Sequence, residues 1–203
     1  MYEPTSGRIL VDGVDLRALE VEDWRTRLAA GFQDFMRFEF LAGEAVGVGD
    51  LPRVDHEPAI ELALARAGAS DMVGALANGL RTQLGLSFDG AELSGGQWQK
   101  MALARAMMRP IPLLVLLDEP TAALDAEAEY ALFQRYATAA RDAGQRSGAI
   151  TVLVTHRFSN VRMCDLILVL ASGRLVEQGS HEQLVAAGGL YAELYELQAR
   201  QYR

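Results

Sequence analysis

The segment Leu93-Ser94-Gly95-Gly96-Gln97 and the apolar run that follows it constrain the fold more than any other part of the chain. Ser94 is a residue type that caps helix starts, and the sequence after it predicts a helix at about 95–108. Residues 113–117 are then all apolar and lead into Asp118-Glu119-Pro120. Continuous apolar runs of this length are typical of parallel strands covered on both faces, so we expect an α/β fold.

Further strands and helices are expected on both sides of this segment. Apolar runs at 150–154 and 166–170 predict two more buried parallel strands, and a helical stretch at about 126–143, stopped near Gly144, completes a βαβ unit. Between 38 and 92 the pattern is helical, with Pro58 at a first-turn position. Shorter strands are expected at the following places: 7–13, 28–33 and 173–179.

Composition excludes several classes of protein. The net charge of −8 argues against a general nucleic-acid surface, because phosphate binding requires a basic stripe. The single cysteine, Cys164, excludes an internal disulfide and fits a reducing compartment. No apolar run approaches the roughly 18–20 residues that a membrane span needs.

The glycines after Ser94 predict a site for an anion. At a helix start the serine hydroxyl and the unpaired N–H groups of Gly95 and Gly96 point outward, at the positive end of the helix dipole. Glycine is needed there because side chains would block the close approach of a phosphate. A chance capped turn is the alternative, but this pentapeptide arises by chance in on the order of one chain per thousand or fewer.

The acidic residues after the apolar run predict a second site. A buried strand that ends in Asp118 delivers a carboxylate to the edge where open α/β sheets bind ligands. We interpret the run as a Walker B strand, in which Asp118 holds Mg²⁺ through water and Glu119 polarises the attacking water for phosphoryl transfer. The alternative is a core strand followed by an acidic turn.

Together these motifs resemble the nucleotide-binding domain of an ABC transporter, of the exporter-like type, over nearly the whole chain. The sequences of Gln33-Asp34-Phe35 and of residues 93–100 are similar to those of actinobacterial exporter ATPases. The resemblance implies a P-loop-type ATPase core with an inserted helical subdomain and a small antiparallel β part. It also implies that Glu119 and the switch histidine His156 are catalytic, and that Asp118 and the Q-loop Gln33 bind Mg²⁺. Nucleotide would be bound by Gln33, Ser94, Gly95, Gly96, Gln97 and the D-loop Asp125.

The resemblance also implies partners and a division of the chain. Residues 1–37 would form the β part up to the Q-loop, 38–92 the helical subdomain, and 93–203 the rest of the ATPase domain. The helical subdomain would receive the coupling helices of a permease at the cytoplasmic face of a bacterial membrane. A second nucleotide-binding domain would pair head to tail with this one, so that ATP and Mg²⁺ lie between them. No nucleic acid is expected.

One departure from the family pattern concerns the phosphate-binding loop G-x-x-x-x-G-K-[ST], called Walker A. Lys100 is the only lysine and follows the Ser94 segment, so no lysine in this sequence can fill that motif. We therefore expect that the chain begins inside the domain, through a truncated gene, a wrongly placed start codon or a pseudogene, and that it is incompetent alone. A split protein is another explanation.

Two rival functions remain open. The chain could be a non-catalytic partner that donates only the Ser94 segment in a heterodimer, although intact Glu119 and His156 argue against this. It could instead be a soluble ABC ATPase of DNA repair or translation, but neither heptads nor basic faces are seen. His56 and His181 match no motif and are expected at the surface.

Overall fold

The computed structural model describes residues 3–120 and 126–201. Its strands form three separate sheets. Along the chain, helices connect most of the strands, and two more helices follow the last strand. The strands are β1 Leu10–Val11, β2 Val14–Asp15, β3 Leu28–Gly31, β4 Leu114–Asp118, β5 Ile150–Val154, β6 Ile167–Ala171 and β7 Arg174–Gly179. The α-helices are α1 Val21–Thr26, α2 Ala42–Gly47, α3 Glu57–Ala67, α4 Ser70–Gly74, α5 Gly95–Ala106, α6 Ala126–Ser147, α7 Phe158–Val161, α8 His181–Ala187 and α9 Leu190–Gln201.

The central sheet is parallel, with β4 between β3 and β5. Its register places Gly31 opposite Leu117 and Asp118 opposite Val154. The sequence predicted these three strands closely, and β5 begins and ends at the predicted residues. The carboxyl ends of all three strands therefore meet at one edge of the sheet.

The prediction of a parallel strand at 166–170 is wrong in its pairing. β6 pairs antiparallel with β7 through a two-residue turn, Ser172-Gly173, in which both residues have positive φ angles, +50° and +74°. Such turns match the twist of a tight hairpin, so the local turn chemistry determines the partner of β6. The turn Asp12-Gly13 joins β1 to β2 in the same way, with φ angles of +49° and +82°.

Exposure of β5 and β6 also differs from the expectation of strands covered on both faces. One face of each strand carries apolar side chains that are exposed: Ile150, Val152 and Val154 on β5, and Leu168 and Leu170 on β6. The free edge of β5 and the β6–β7 hairpin belong to different sheets, because no bridge joins them among the described residues.

The larger hydrophobic core lies where α3 and α5 pack on each other and on α2. Its fully buried residues include Val46, Leu84 and Met101. Close backbone packing requires glycine here: a Cβ on Gly49 would lie 2.0 Å from the carbonyl oxygen of Arg105. This packing attaches the helical subdomain firmly to α5.

Helix ends follow the local signals with two differences. Ser94 caps α5 as predicted, but the helix ends at Ala106, two residues earlier than expected. Gly144 does not stop α6, which continues to Ser147. A smaller core around Ile167, Leu184 and Tyr191 joins the β6–β7 hairpin to α8 and α9. Within residues 3–120 and 126–201, no helix has the length and apolar character required to cross a bilayer.

Candidate functional site

The carboxyl edge of the central sheet gathers several of the predicted site residues. Gln33 follows β3 and is exposed, Asp118 is the last residue of β4, and His156 follows β5. The parallel register makes this convergence necessary, because each strand delivers its following residues to the same edge. We call this group the carboxyl-edge site.

Glu119 and His156 are in direct contact within this site. Nδ1 of His156 lies 2.8 Å from Oε1 of Glu119. The Glu119 side chain is 25% exposed and that of His156 66% exposed, so solvent reaches both groups. The pair is open to a ligand that approaches from the sheet edge.

The backbone of Glu119 is held in an unusual conformation. Its φ angle of +43° lies in the left-handed region, which non-glycine residues seldom adopt. Its N–H donates to the carbonyl oxygen of Val154 at 2.9 Å, and its carboxylate meets His156. Such conformations cluster at functional sites, where surrounding contacts hold them in place.

The contact defines what each side chain can still do. An ionised carboxylate only accepts hydrogen bonds, so Nδ1 of His156 carries the hydrogen in this arrangement. Nε2 of a neutral ring then accepts a hydrogen bond, and Nε2 of a protonated ring donates one. The second carboxylate oxygen of Glu119 remains available to accept from a water molecule.

Asp118 is the candidate magnesium ligand. It is half-buried and lies on the same strand end as Glu119. In the described part of the chain, no group of three or more His, Cys, Asp or Glu side chains could hold a metal ion. Mg²⁺ is often bound through only one or two carboxylates together with waters and phosphate oxygens, so Asp118 can still serve as one ligand.

The predicted anion site at Ser94 is built as a capping box. The Ser94 hydroxyl accepts from the N–H of Gln97 at 3.3 Å, and the Gln97 side chain accepts from the N–H of Ser94 at 2.8 Å. A Cβ on Gly95 would meet nothing within 4 Å, so the space above the helix start is open. Ser94 and Gln97 therefore shape the helix start, while Gly95 leaves it accessible.

α5 contacts the sheet near its C-terminal end, whereas Ser94 lies at its N-terminal end. A Cβ on Gly31 of β3 would lie 3.3 Å from a methyl group of Leu103. Leu103 is nine residues from Ser94, which corresponds to about 13 Å along a helix at ~1.5 Å per residue. Ser94 thus lies at the opposite end of α5 from the contact with β3.

Arg105 links the segment after Gln33 to α5. Its guanidinium donates to the carbonyl oxygens of Met36 at 3.1 Å and Ala45 at 3.4 Å. It also lies 4.6 Å from the centre of the Phe38 ring, a distance at which cations and aromatic faces attract each other. Burial lowers the pKa of Arg105.

Three further residues, two of them singled out in the sequence and one overlooked, have different outcomes. Asp125 lies outside the described residues. His181 was expected at the surface but is half-buried, and its Nδ1 lies 2.8 Å from the hydroxyl of Tyr191. The sequence analysis missed Gln198, whose side chain bonds to the backbone on both sides of Arg157. No motif marks Gln198, because its partners lie about 40 residues away in the sequence.

Comparison with known families identifies relatives of the chain. A model of the ABC transporter family matches residues 1–122. Among curated proteins, an ATP-dependent lipid A-core flippase of Bordetella avium (strain 197N) is 41% identical over 198 residues. A protein with the same description from Xylella fastidiosa (strain 9a5c) is 40% identical over 202 residues. Each alignment covers 98% of this chain and 32% of the relative, so the chain spans about a third of their length.

A solved structure shows the same fold. A bacterial Atm1-family ABC exporter with ATP bound superposes with a TM-score of 0.83 and 34% sequence identity. The match covers 98% of this chain and 33% of that one. The α/β ABC ATPase fold expected from the sequence is therefore confirmed.

Proposed function

Because this chain belongs to the ABC transporter family, we propose that it is an ATP-binding domain or subunit whose ATP hydrolysis drives export across a membrane. The observation that carries the proposal is the contact between Glu119 and His156 at the end of β4, beside Asp118. A carboxylate positioned by a histidine at a strand edge is suited to orient a water molecule against a phosphate.

Glu119 is the proposed general base. Its Oε1 is engaged with His156, and its other oxygen would accept from the attacking water. His156 holds the carboxylate in place through Nδ1 and turns Nε2 toward solvent, where a γ-phosphate oxygen can be recognised when the ring is protonated. Phosphoryl transfer needs positioning and charge stabilisation more than covalent chemistry. Glu119 and His156 would therefore be sufficient to orient the attacking water.

The nucleotide is proposed to carry Mg²⁺ into the site. Asp118 and Gln33 would hold the ion, and phosphate oxygens of the nucleotide would supply further ligands. The ion would supply neutralisation of the charge on the transferred phosphoryl group.

The Ser94 segment is proposed to serve a different ATP from the one at Glu119. The open helix start at Gly95 offers N–H groups and a positive dipole end to a γ-phosphate. In the proposed head-to-tail pairing of two copies or two related domains, the Ser94 segment of one would face the carboxyl-edge site of the other and complete each ATP site. Asp125 would contribute at the same interface.

The proposed membrane partner is a permease that contacts the helical subdomain at 38–92 from the cytoplasmic side of a bacterial membrane. The relatives matched here include lipid A-core flippases and an Atm1-family exporter, which have different names although they share this region. We therefore propose export as the function and assign no transported substrate.

The test uses the assembled protein, meaning this chain with any further part of its polypeptide, purified with the proposed membrane partner in lipid nanodiscs. Glu119→Gln should lower ATP hydrolysis by about 100-fold or more, because it removes the general base, while ATP binding persists. Glu61→Gln, at an exposed position on α3, is the matched control and should hydrolyse ATP normally. A wild-type assembly that hydrolyses no ATP would contradict the proposal.

The rival function, a partner that donates only the Ser94 segment, gives a different result. In that case Glu119→Gln would leave hydrolysis unchanged, because the carboxyl-edge site would be idle. Substitution of Ser94 would still abolish hydrolysis at the other ATP site. The intact contact between Glu119 and His156 favours the catalytic function.

A further inference from the structure

We propose that Gln198 of α9 is a positioning residue for hydrolysis, which holds the backbone at His156 so that the imidazole stays against Glu119. This inference rests on the proposed function, because it assigns Gln198 to the same site. Nothing in the sequence motifs points to α9. The inference comes from the contacts of one amide side chain.

Gln198 bonds to two backbone groups, one of the switch histidine itself and one two residues after it. Its Nε2 donates to the carbonyl oxygen of His156 at 3.2 Å. Its Oε1 accepts from the N–H of Phe158 at 3.0 Å. A single planar amide thus satisfies a carbonyl and an N–H on either side of Arg157, and it fixes the direction of the chain as it leaves β5.

Another backbone donor of this loop is also satisfied. The N–H of Arg157 donates to the hydroxyl of Thr155 at 3.0 Å. The loop therefore has little freedom to turn while Gln198 is in place. A rotation of the backbone here would carry the imidazole of His156 away from Glu119.

α9 is itself anchored, so that Gln198 acts from a fixed base. The carboxylate of Glu177, on β7, accepts from the N–H groups of Leu190 at 2.6 Å and Tyr191 at 3.0 Å at the start of α9. Phe158 packs on the rings of Tyr191 and Tyr195, with ring centres 5.2 Å and 6.0 Å apart. The carboxylate of Glu177 holds the start of the helix, and the aromatic contacts with Phe158 hold the helix against the loop.

The chemical role follows from these contacts. The bonds that Gln198 makes in the described part of the chain are to backbone groups of His156 and Phe158, so it acts through His156. Its loss should leave nucleotide binding intact and slow the chemical step, since a small misplacement of a catalytic group lowers turnover more than affinity.

The test compares Gln198→Ala, Gln198→Glu and the control Glu193→Ala, an exposed position on the same helix, in the assembled protein. Gln198→Ala should lower kcat for ATP about tenfold with KM unchanged, as expected for loss of a pair of hydrogen bonds. Gln198→Glu keeps the acceptor for Phe158 and loses the donor to His156, so its kcat should be intermediate. Glu193→Ala should match the wild type.

A second set of variants, built on His156→Ala, distinguishes a positioning role from a general loss of structure. In His156→Ala, the further change Gln198→Ala should cost nothing, because the group that it positions is gone. An equal loss in both backgrounds, or an unchanged kcat in Gln198→Ala, would overturn the proposal. If Gln198→Ala does not assemble, an unchanged kcat in Gln198→Glu overturns it instead.

A readout without ATP distinguishes this inference from the proposed function. Diethylpyrocarbonate should modify His156 faster in Gln198→Ala than in wild type, approaching the rate in Glu119→Ala, in which the imidazole has lost its partner. Mass spectrometry reads the rate at His156 alone. If the wild type hydrolyses no ATP, the proposed function fails, and an unchanged modification rate in Gln198→Ala is then what would refute the positioning role.

Discussion

Glu119 and His156 lie 37 residues apart in the sequence, yet Oε1 of Glu119 and Nδ1 of His156 are 2.8 Å apart. Adjacent parallel strands produce the contact, because β4 and β5 end side by side with Asp118 opposite Val154. Neither side chain is fully buried, so the pair is held by its hydrogen bond and by the backbone of Glu119.

Coupling between these two residues gives the first prediction. In the assembled protein, His156→Ala should lower ATP hydrolysis by about 100-fold, the lower range for loss of acid–base assistance, because Glu119 loses its orientation. Combined with Glu119→Gln, it should add little further loss. His56→Asn, which keeps an acceptor at the cap of α3, is the control and should hydrolyse normally. Fully additive losses in the double variant would show that the contact has no role in catalysis.

Ser94 allows the cap of α5 to be separated from the proposed anion site. Ser94→Ala removes the acceptor for the N–H of Gln97 and should cost about 0.5–2 kcal/mol of stability. Ser94→Asp keeps a good cap and complements the helix dipole, so thermal stability should be preserved. Its negative charge should nevertheless abolish ATP-dependent pairing of the two domains, because it repels a phosphate. Normal pairing and hydrolysis in Ser94→Asp would remove the anion site from the proposal.

Arg105 should stabilise the segment that follows Gln33. Arg105→Met keeps most of the side-chain volume but loses the bonds to Met36 and Ala45 and the contact with Phe38. A loss of about 1–3 kcal/mol is expected, because hydrogen bonds to a charged donor are worth more than neutral ones. Thermal unfolding of the assembled protein measures the loss, and hydrogen exchange at 36–48 should increase. Arg37→Met, at an exposed position, should change neither quantity.

Cys164 is expected to react slowly with alkylating reagents. Burial, and to a smaller extent the charge of Asp165, raise the pKa of its thiol. The thiolate fraction at a given pH is therefore smaller than in an unfolded chain, where the midpoint is about 8.5. Stability should fall as the pH rises above that value, since the unfolded thiol ionises first.

Alkylation rates measured across pH test this expectation. The midpoint should lie above 8.5 for the native protein and return to about 8.5 in denaturant. Asp165→Asn should lower the native midpoint only in part, because burial is the larger cause. A native midpoint equal to the denatured one would contradict the burial of Cys164.

The exposed apolar faces of β5 and β6 predict how this 203-residue chain behaves when it is produced alone. Each large side chain left in water forgoes about 1.5–3 kcal/mol of burial, against a total stability of only about 5–15 kcal/mol. We expect aggregation, binding of hydrophobic dyes and no sharp thermal transition. Val152→Thr with Leu168→Thr should reduce dye binding, because both positions are exposed. A monodisperse sample with a cooperative calorimetric melt would refute this expectation.

Local sequence determined much of the fold. Neighbouring residues alone predicted three features: the cap at Ser94, the bounds of β5 and the acidic end of β4. They could do so because caps and apolar runs depend on nearby backbone groups. Parallel strands then require their ends to meet at one edge, which is why Gln33, Asp118 and His156 lie together.

Tertiary structure decided what local patterns do not contain. The apolar pattern of β6 fits any buried strand, and only the turn at Ser172-Gly173 and its pairing with β7 made it a hairpin. Gly144 looked like a helix stop, but α6 continues past it. The bonds from Gln198 to the loop at His156 join residues about 40 positions apart. Such contacts depend on how α9 packs against that loop, and packing between distant segments leaves no periodic trace in the sequence.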